Sequence, residues 1–263
     1  MIDWNFENKL VLITAASKGI GFQLAKEFAG GGAKVAICSR SKSNLMKAKK
    51  KILENYPEAT IGLFPCDISK IKNLKSLHKK VCKNFNSNID ILINNSGGPD
   101  AKEIMKTNYL DWEYTLNNNL KSFIFMSKHV VPGMKKKNWG RIVNLTSTTA
   151  KEPSEKMVLS NVSRAGVLAF SKTLSREIKA SGITINSILT GAVLTERLKK
   201  LVKLNHKNKY KIAMKSIANS IPVKRISSPE EFCQLVLFLC TNNAGFISGS
   251  AITVDGGLSK SIL

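Results

Sequence analysis

The chain has 263 residues, of which 43% are hydrophobic and 22% are charged, and its 41 Lys and Arg outnumber 18 Asp and Glu to give a formal net charge of +23. The length fits one large domain or two small ones, and α/β folds often reach this length as one domain. The composition is that of an ordinary soluble globular protein and excludes a disordered chain, a collagen and a coiled coil. No apolar run approaches the ~18 residues that a membrane helix needs. Because the N-terminus is acidic and mixed, unlike a signal peptide, we expect a cytoplasmic protein without membrane contact.

The positive charge has two interpretations. A polyanionic partner such as nucleic acid is one, and drift in composition is the other. The basic residues are 35 Lys and only 6 Arg, spread along the chain, and Asn is frequent at 23. Because Arg makes the bidentate contacts of base recognition, this composition favours drift, and we do not expect nucleic acid as a partner.

The five cysteines form no Cys-x-x-Cys pair and no cluster with histidine. Their number is odd and their neighbours are apolar. This pattern predicts buried free thiols in a reducing compartment, with neither a disulfide framework nor a metal site.

Short apolar strands alternate with helical patterns along the chain. The predicted strands are Lys9–Thr14, Lys34–Ser39, Thr60–Pro65, Asp90–Asn94, Gly140–Thr146, Thr184–Leu189 and Ala251–Val254. The predicted helices cover residues 20–30, 42–55, 70–86, 111–137, 155–181 and 229–241. This alternation predicts an α/β fold, a single Rossmann-like domain over residues 1–263 whose doubly wound parallel sheet has about seven strands and helices on both faces. The lysine-rich stretch 190–228 breaks the alternation and is interpreted as a substrate lid.

The first strand leads into a glycine-containing turn and then a helix. Such a turn places backbone N–H groups and the positive end of the helix against a diphosphate, although a simple tight turn is the alternative. In this context the turn predicts dinucleotide binding. The residues expected to contribute are Thr14, Ala16, Ser17, Lys18, Gly19, Ile20 and Gly21.

The second strand ends at Ser39 and Arg40, about twenty residues beyond the turn. A carboxylate at this point would bind the ribose 2′-hydroxyl of NAD, whereas Arg suits the 2′-phosphate of NADP. Lys18 adds a second cation, and solvated surface charges are the alternative interpretation. The missing carboxylate favours NADP(H) over NAD(H).

Further segments extend this pattern. The turn is similar to T-G-x-x-x-G-x-G, the run Asn94-Asn95-Ser96-Gly97 to N-N-A-G, and Val254-Asp255-Gly256-Gly257 to a C-terminal pattern of the same family. With them the chain resembles the short-chain dehydrogenase/reductase family over nearly its whole length, and within it the β-ketoacyl carrier-protein reductases. The resemblance implies a nicotinamide cofactor, carbonyl/alcohol redox chemistry and a homo-oligomer, either a tetramer or a dimer. It also implies cofactor contacts from Asp67, Ile68, Asn94, Ser96, Gly97, Arg164, Gly191 and Thr195.

The catalytic part of the family pattern is altered. The resemblance places the family's Asn at Asn119 and its Ser at Ser147, whereas the Tyr and Lys positions hold Ser160 and Arg164. Arg keeps the positive charge but stays protonated, so it cannot relay a proton as Lys does. An aliphatic hydroxyl is a weaker acid than a phenol and is shorter by one ring. We expect these four residues to form the catalytic site.

The chain departs from the family pattern at two further points, and other groups are candidates for the proton donor. Ala15 replaces the first Gly of the turn, and Thr190-Gly191 replaces the family's Pro-Gly. A bound water is one further proton donor, and side chains are others. The side chains are Glu155, placed at the start of a helix, and Lys156, Tyr210, His78, His129 and His206.

Two functions fit these residues. The first is an NADP(H)-dependent oxidoreductase that acts on a carbonyl/alcohol pair, with a 3-oxoacyl thioester as one candidate substrate. The second is an NADP(H)-binding protein or regulatory subunit with little turnover. The lysines between Arg197 and Lys215 would suit an acyl carrier protein or an acyl-CoA, and a solvated helix face is the alternative.

Overall fold

The computed structural model describes residues 4–205 and 209–262. Its centre is one parallel sheet in the order β3-β2-β1-β4-β5-β6-β7. The strands are β1 Leu10–Ile13, β2 Lys34–Ser39, β3 Ile61–Pro65, β4 Ile91–Asn94, β5 Gly140–Ser147, β6 Ile183–Thr190 and β7 Ala251–Val254. The predicted Rossmann-like sheet is confirmed. The strand order reverses between β1 and β4. Sheets of this kind bind ligands outside the carboxyl ends of the strands at such a point, which is called the crevice below.

Helices cover both faces of the sheet. They are α1 Gly19–Gly30, α2 Lys42–Leu53, α3 Lys72–Phe85, α4 Tyr109–Leu116, α5 Ser122–Lys136, α6 Val158–Glu177, α7 Glu196–Asn205, α8 Tyr210–Ser220 and α9 Pro229–Leu239. One core layer packs α1, α2 and α9 on the sheet, and the other packs α3, α5 and α6. Successive side chains of β1 enter opposite layers, as the two-residue period of a strand requires.

The predicted helix over residues 111–137 is wrong in one respect, because a π-helical turn at Asn117–Lys121 separates α4 from α5. Asn118 and Asn119 are buried in this turn, and their side-chain amides bond to the loop after β4. These tertiary hydrogen bonds offset the poorer geometry of the wider turn, which is frequent at functional sites.

Two other predicted stretches differ in detail. The helix predicted from residue 155 begins at Val158, so Glu155 lies in the preceding turn and not at a helix start. Lys156 has a φ of +59°, outside the helical region, which explains the later start. The stretch 190–228 contains α7 and α8. A helix face was one interpretation of its lysines, but no helix bounds were predicted there. Its role as a lid stays a prediction.

The cysteines are free thiols, but two of them are less buried than predicted. Cys38, Cys233 and Cys240 are buried, whereas Cys66 and Cys82 are partly exposed. Cys66 directly follows the edge strand β3, and Cys82 lies on the outer layer helix α3, so neither is fully covered.

Within residues 4–205 and 209–262, no helix is long and apolar enough to cross a membrane. In the same part of the chain, no three His, Cys, Asp or Glu side chains are grouped as a metal site would need.

Candidate active site

The glycine-containing turn after β1 forms one wall of the crevice. Gly19 has a φ of +59°, and a Cβ at Gly21 would lie 2.7 Å from Asn95 Nδ2 and 2.8 Å from the Ala15 carbonyl oxygen. The start of α1 therefore packs directly on the turn, which only glycine allows. Lys18 caps α1 without a side-chain bond to its first N–H groups. These donors and the positive helix end fit a diphosphate.

Ala15 itself is in the left-handed region, with a φ of +48°. A residue with a Cβ thus adopts a conformation that favours glycine, at a cost of about 1 kcal/mol.

The loop after β4 is bonded to the same turn. Thr14 Oγ1 donates to the Asn95 carbonyl (2.6 Å) and accepts from the Asn95 N–H (2.8 Å), while Asn95 Nδ2 donates to the Ala15 carbonyl (3.2 Å). Asn95 was not among the predicted site residues. The Asn94 side chain points into the sheet, where it donates to Asn144 Oδ1 (2.8 Å), so its predicted cofactor contact would come from its backbone.

The ends of β1 and β2 bring two exposed cations to one edge of the sheet. Lys18 follows β1 and Arg40 follows β2, and these strands are neighbours. Arg40 Nη1 donates to Tyr114 Oη (3.4 Å) and makes no ion pair among the described residues. Asp67 holds its own loop by accepting from Ser69, and Ile68 is buried beside it. This end fits a 2′-phosphate.

A buried polar cluster lies below the loop after β4. Asn119 Nδ2 donates to Ser96 Oγ (2.8 Å) and to the Gly97 carbonyl (2.9 Å). Arg164 Nη2 donates to the same Ser96 Oγ (3.3 Å), and Arg164 Nη1 donates to the Leu145 carbonyl (2.9 Å). The structure thus brings together Asn119 and Arg164, which the sequence only aligned with the family pattern. Ser96 is the link between them.

Arg164 is a buried cation without a carboxylate partner among the described residues. Its Nε atom has no hydrogen-bond partner in this part of the chain. Burial, and secondarily the charge of Arg197, lowers the pKa of Arg164 to about 10. The side chain still carries its charge at neutral pH, so it can donate to a ligand hydroxyl or attract an anion.

A second cluster consists of three hydroxyl groups at the end of β5. Thr149 Oγ1 lies 3.1 Å from Ser147 Oγ and 3.1 Å from Ser160 Oγ. Thr149 was not predicted because the family pattern assigns roles to positions 147 and 160 and to no residue between them. Ser147 caps a short 3₁₀ turn, Thr148–Ala150, by accepting from the Thr149 N–H. In the sequence, only the position of Thr149 two residues after Ser147 could have indicated this contact.

Known proteins are similar to this chain over nearly its whole length. A family model described as enoyl-(acyl carrier protein) reductase matches residues 14–259. The chain belongs to the short-chain dehydrogenase/reductase family. It is 30% identical to the 3-oxoacyl-[acyl-carrier-protein] reductase FabG of Aquifex aeolicus, over 96% of this chain and 98% of FabG. It is 31% identical to the NADPH-dependent reductase BacG of Bacillus subtilis, over 97% of this chain and 99% of BacG.

Solved structures of reductases are also similar to this chain. The L-sorbose reductase of Gluconobacter frateurii, complexed with NADPH and L-sorbose, superposes with a TM-score of 0.94 at 29% identity, covering 99% of this chain and 100% of that one. The NADPH-dependent reductase YwfH, involved in bacilysin biosynthesis, superposes with a TM-score of 0.91 at 30% identity, covering 97% and 99%. The predicted preference for NADP(H) is confirmed by these relatives of the family.

The start of the stretch 190–228 lies across the crevice. The Thr195 methyl group would be 3.6 Å from a Cβ at Gly19, and Arg197 Nη2 donates to the Pro99 carbonyl (3.3 Å). A Cβ at Gly191 would meet Asp255, so the backbone passes β7 closely at that point. Thr195 thus lies beside the glycine-containing turn and Gly191 beside the end of β7. Their contacts with a cofactor stay predictions.

The other predicted proton donors lie outside both clusters. Glu155 and Lys156 are exposed, and the Tyr210 ring packs under Lys203 Nζ at 5.5 Å. His78 and His129 stack on each other between α3 and α5, where burial lowers the pKa of each. His206 lies outside the described residues.

Proposed function

We propose that the chain is an NADPH-dependent reductase that converts a carbonyl group to an alcohol. The observation that carries this proposal is the retained arrangement of donors at the altered site. Ser147 stands at the end of β5 and a buried cation at position 164. The relatives are named as reductases of 3-oxoacyl groups and of L-sorbose, both of which contain a carbonyl. A 3-oxoacyl thioester is our first candidate substrate.

Each group has a role in this reaction. NADPH, when bound, supplies a hydride. Lys18 and Arg40 bind the 2′-phosphate, and the turn at Gly19 and Gly21 admits the diphosphate. Arg164 donates to a ribose hydroxyl, as the family's Lys does. Asn119 positions Arg164 through Ser96, because both side chains donate to the Ser96 hydroxyl oxygen.

The Ser147 hydroxyl orients the substrate. It lies at the carboxyl end of β5, where the crevice opens, and its oxygen is held by the Thr149 N–H. It donates to the oxygen of the carbonyl and so polarises it. Such positioning contributes to rate independently of any strong acid.

The experiment is a turnover assay. NADPH binding is measured by fluorescence titration, and NADPH absorbance is followed with acetoacetyl-CoA and a panel of ketones. Consumption of NADPH that depends on a ketone supports the proposal.

A cofactor-binding protein with little turnover is the second candidate, because Ser160 and Arg164 replace the family's Tyr and Lys. Tight NADPH binding with no consumption on every ketone would favour it. The double variant S160Y/R164K separates a merely degenerate site from one with its own chemistry. It should raise ketone reduction in the first case and lower an existing activity in the second.

We also propose a homo-oligomer. Large apolar side chains are exposed together on a short 3₁₀ turn and on α4. They are Ile104, Met105, Tyr109 and Leu110. Exposed apolar patches of this kind mark interfaces. Light scattering coupled to size exclusion should give a mass at least twice 28.9 kDa, and the monomer mass would reject this proposal.

A further inference from the structure

The three hydroxyl groups beside the cleft have a defined order. Thr149 occupies the middle position, with Ser147 and Ser160 on either side at 3.1 Å each. Thr149 and Ser160 are buried, whereas Ser147 is partly exposed. The chain of hydroxyls therefore runs from the interior to the cleft.

The hydrogen bonds also have a direction. Ser147 Oγ accepts both from the Thr149 N–H (3.3 Å) and from the Thr149 hydroxyl. Since a hydroxyl has a single hydrogen, Thr149 cannot also donate to Ser160. Ser160 must then be the donor in its bond to Thr149. With both lone pairs of Ser147 engaged, the Ser147 hydrogen is the one left to donate into the cleft.

We propose that Ser160, Thr149 and Ser147 form a proton relay that delivers a proton to the substrate oxygen, with Thr149 as the positioning residue that connects the other two. The inference rests on the proposed reductase function and deepens it. The relay explains how Ser160 can supply a proton although its side chain is one aromatic ring shorter than the family's Tyr. Ser160 need not reach the substrate, because Thr149 and Ser147 span the distance.

The relay balances. The carbonyl carbon gains a hydride, so its oxygen needs one proton. The Ser147 O–H bond breaks toward that oxygen as the Thr149 O–H bond breaks toward Ser147 and the Ser160 O–H bond toward Thr149. Ser160, which is 4% exposed, regains its proton from a solvent hydronium ion in the same step. All three hydroxyls end neutral, so no free alkoxide of high pKa has to form.

The first test reads the hydrogens themselves and needs no turnover. Neutron diffraction from crystals of the deuterated protein locates each hydroxyl deuterium. We expect the Ser160 deuterium on the side of Thr149, the Thr149 deuterium on the side of Ser147, and the Ser147 deuterium toward the cleft. A Thr149 deuterium that points at Ser160 would overturn the relay while leaving the proposed function intact.

The second test is kinetic, with acetoacetyl-CoA as the probe. Thr149→Val removes the hydroxyl and keeps the shape, so kcat should fall about 10²-fold, the lower end of the range for loss of a general acid. KM and the Kd for NADPH should stay within twofold. Thr149→Ser should restore kcat to within threefold. The matched control is Thr148→Val, which alters a neighbouring threonine and should leave kcat within twofold.

The solvent isotope effect distinguishes a relay from a structural role. In mixtures of H₂O and D₂O, kcat of the unaltered protein should vary along a curve, since several protons move together, and kcat of Thr149→Val should vary linearly. Unchanged kcat in Thr149→Val, or failure of Thr149→Ser to recover it, would overturn the inference. An unaltered protein that reduces no ketone would overturn the proposed function and the relay with it.

Discussion

The close packing of Gly21 on the turn predicts the effect of one added methyl group. In Gly21→Ala the new Cβ would lie 2.8 Å from the Ala15 carbonyl oxygen and 3.0 Å from Ala16 Cα, both backbone atoms that cannot rotate away. Normal contacts of carbon atoms are about 3.5–4.0 Å, so α1 and the turn must separate by several tenths of an ångström. Overpacking of this kind costs about 1–3 kcal/mol.

The same shift moves the N–H groups that face the diphosphate. Loss of about 1.4 kcal/mol of binding free energy corresponds to a tenfold weaker Kd, and we expect NADPH affinity in Gly21→Ala to fall at least tenfold. Fluorescence titration of NADPH measures Kd, and urea unfolding measures stability.

A matched control lies at the other end of α1. In Gly30→Ala the added Cβ would lie 2.7 Å from the Tyr56 ring, a side chain away from the turn. Gly30→Ala should lower stability and leave the Kd for NADPH within twofold. If Gly21→Ala bound NADPH as tightly as the unaltered protein, the assignment of this turn to the diphosphate would be wrong.

Three further predictions concern single side chains. Ala15→Gly should raise the free energy of unfolding by about 1 kcal/mol, because it relieves a left-handed residue, and a urea midpoint that does not rise would contradict this. Arg40→Asp should weaken NADPH binding about 10–100-fold, the value of one charge-assisted hydrogen bond, and should improve NADH binding. The control Lys47→Asp makes the same charge change on the exposed face of α2 and should alter neither affinity. Equal losses of NADPH affinity in both variants would show that net charge, and not Arg40, is responsible. Ser96→Ala should weaken NADPH binding several-fold, because Arg164 keeps only its bond to the Leu145 carbonyl, and a crystal structure would show the changed position of the Arg164 side chain.

Local patterns were sufficient to predict the sheet and the cofactor end. The alternation of apolar strands and helices encodes the parallel sheet, and the turn before α1 is read from its glycines. The strands of the structure agree with the predicted ones to within one residue at each end. These features depend on patterns within short stretches of the chain, and such patterns are visible in a single sequence.

What the sequence could not show depends on contacts between distant residues. The π turn at Asn117–Lys121 exists because Asn118 and Asn119 bond to a loop some twenty residues earlier. Ser96 looked like a small change from the family's Ala, yet it joins Asn119 to Arg164. Thr149 carries no motif of its own, and only its position between two other hydroxyls reveals it.

Most of the net charge of +23 lies outside the proposed site. Its functional share is small, because Lys18, Arg40 and Arg164 are the cations with a specific place in the proposed site. Two of these three come from the six arginines of the chain. The lysines of the stretch 190–228 are the remaining group whose contribution to substrate binding deserves a charge-reversal test.

The most direct measurement is transfer of label from cofactor to substrate. The protein is incubated with NADPH that carries deuterium at the reactive C4 position and with acetoacetyl-CoA and the ketone panel, and the alcohols are examined by mass spectrometry. The account predicts one deuterium on the former carbonyl carbon for each NADPH consumed. Bound NADPH that loses no deuterium to any ketone would contradict the conclusion that this chain is a carbonyl reductase.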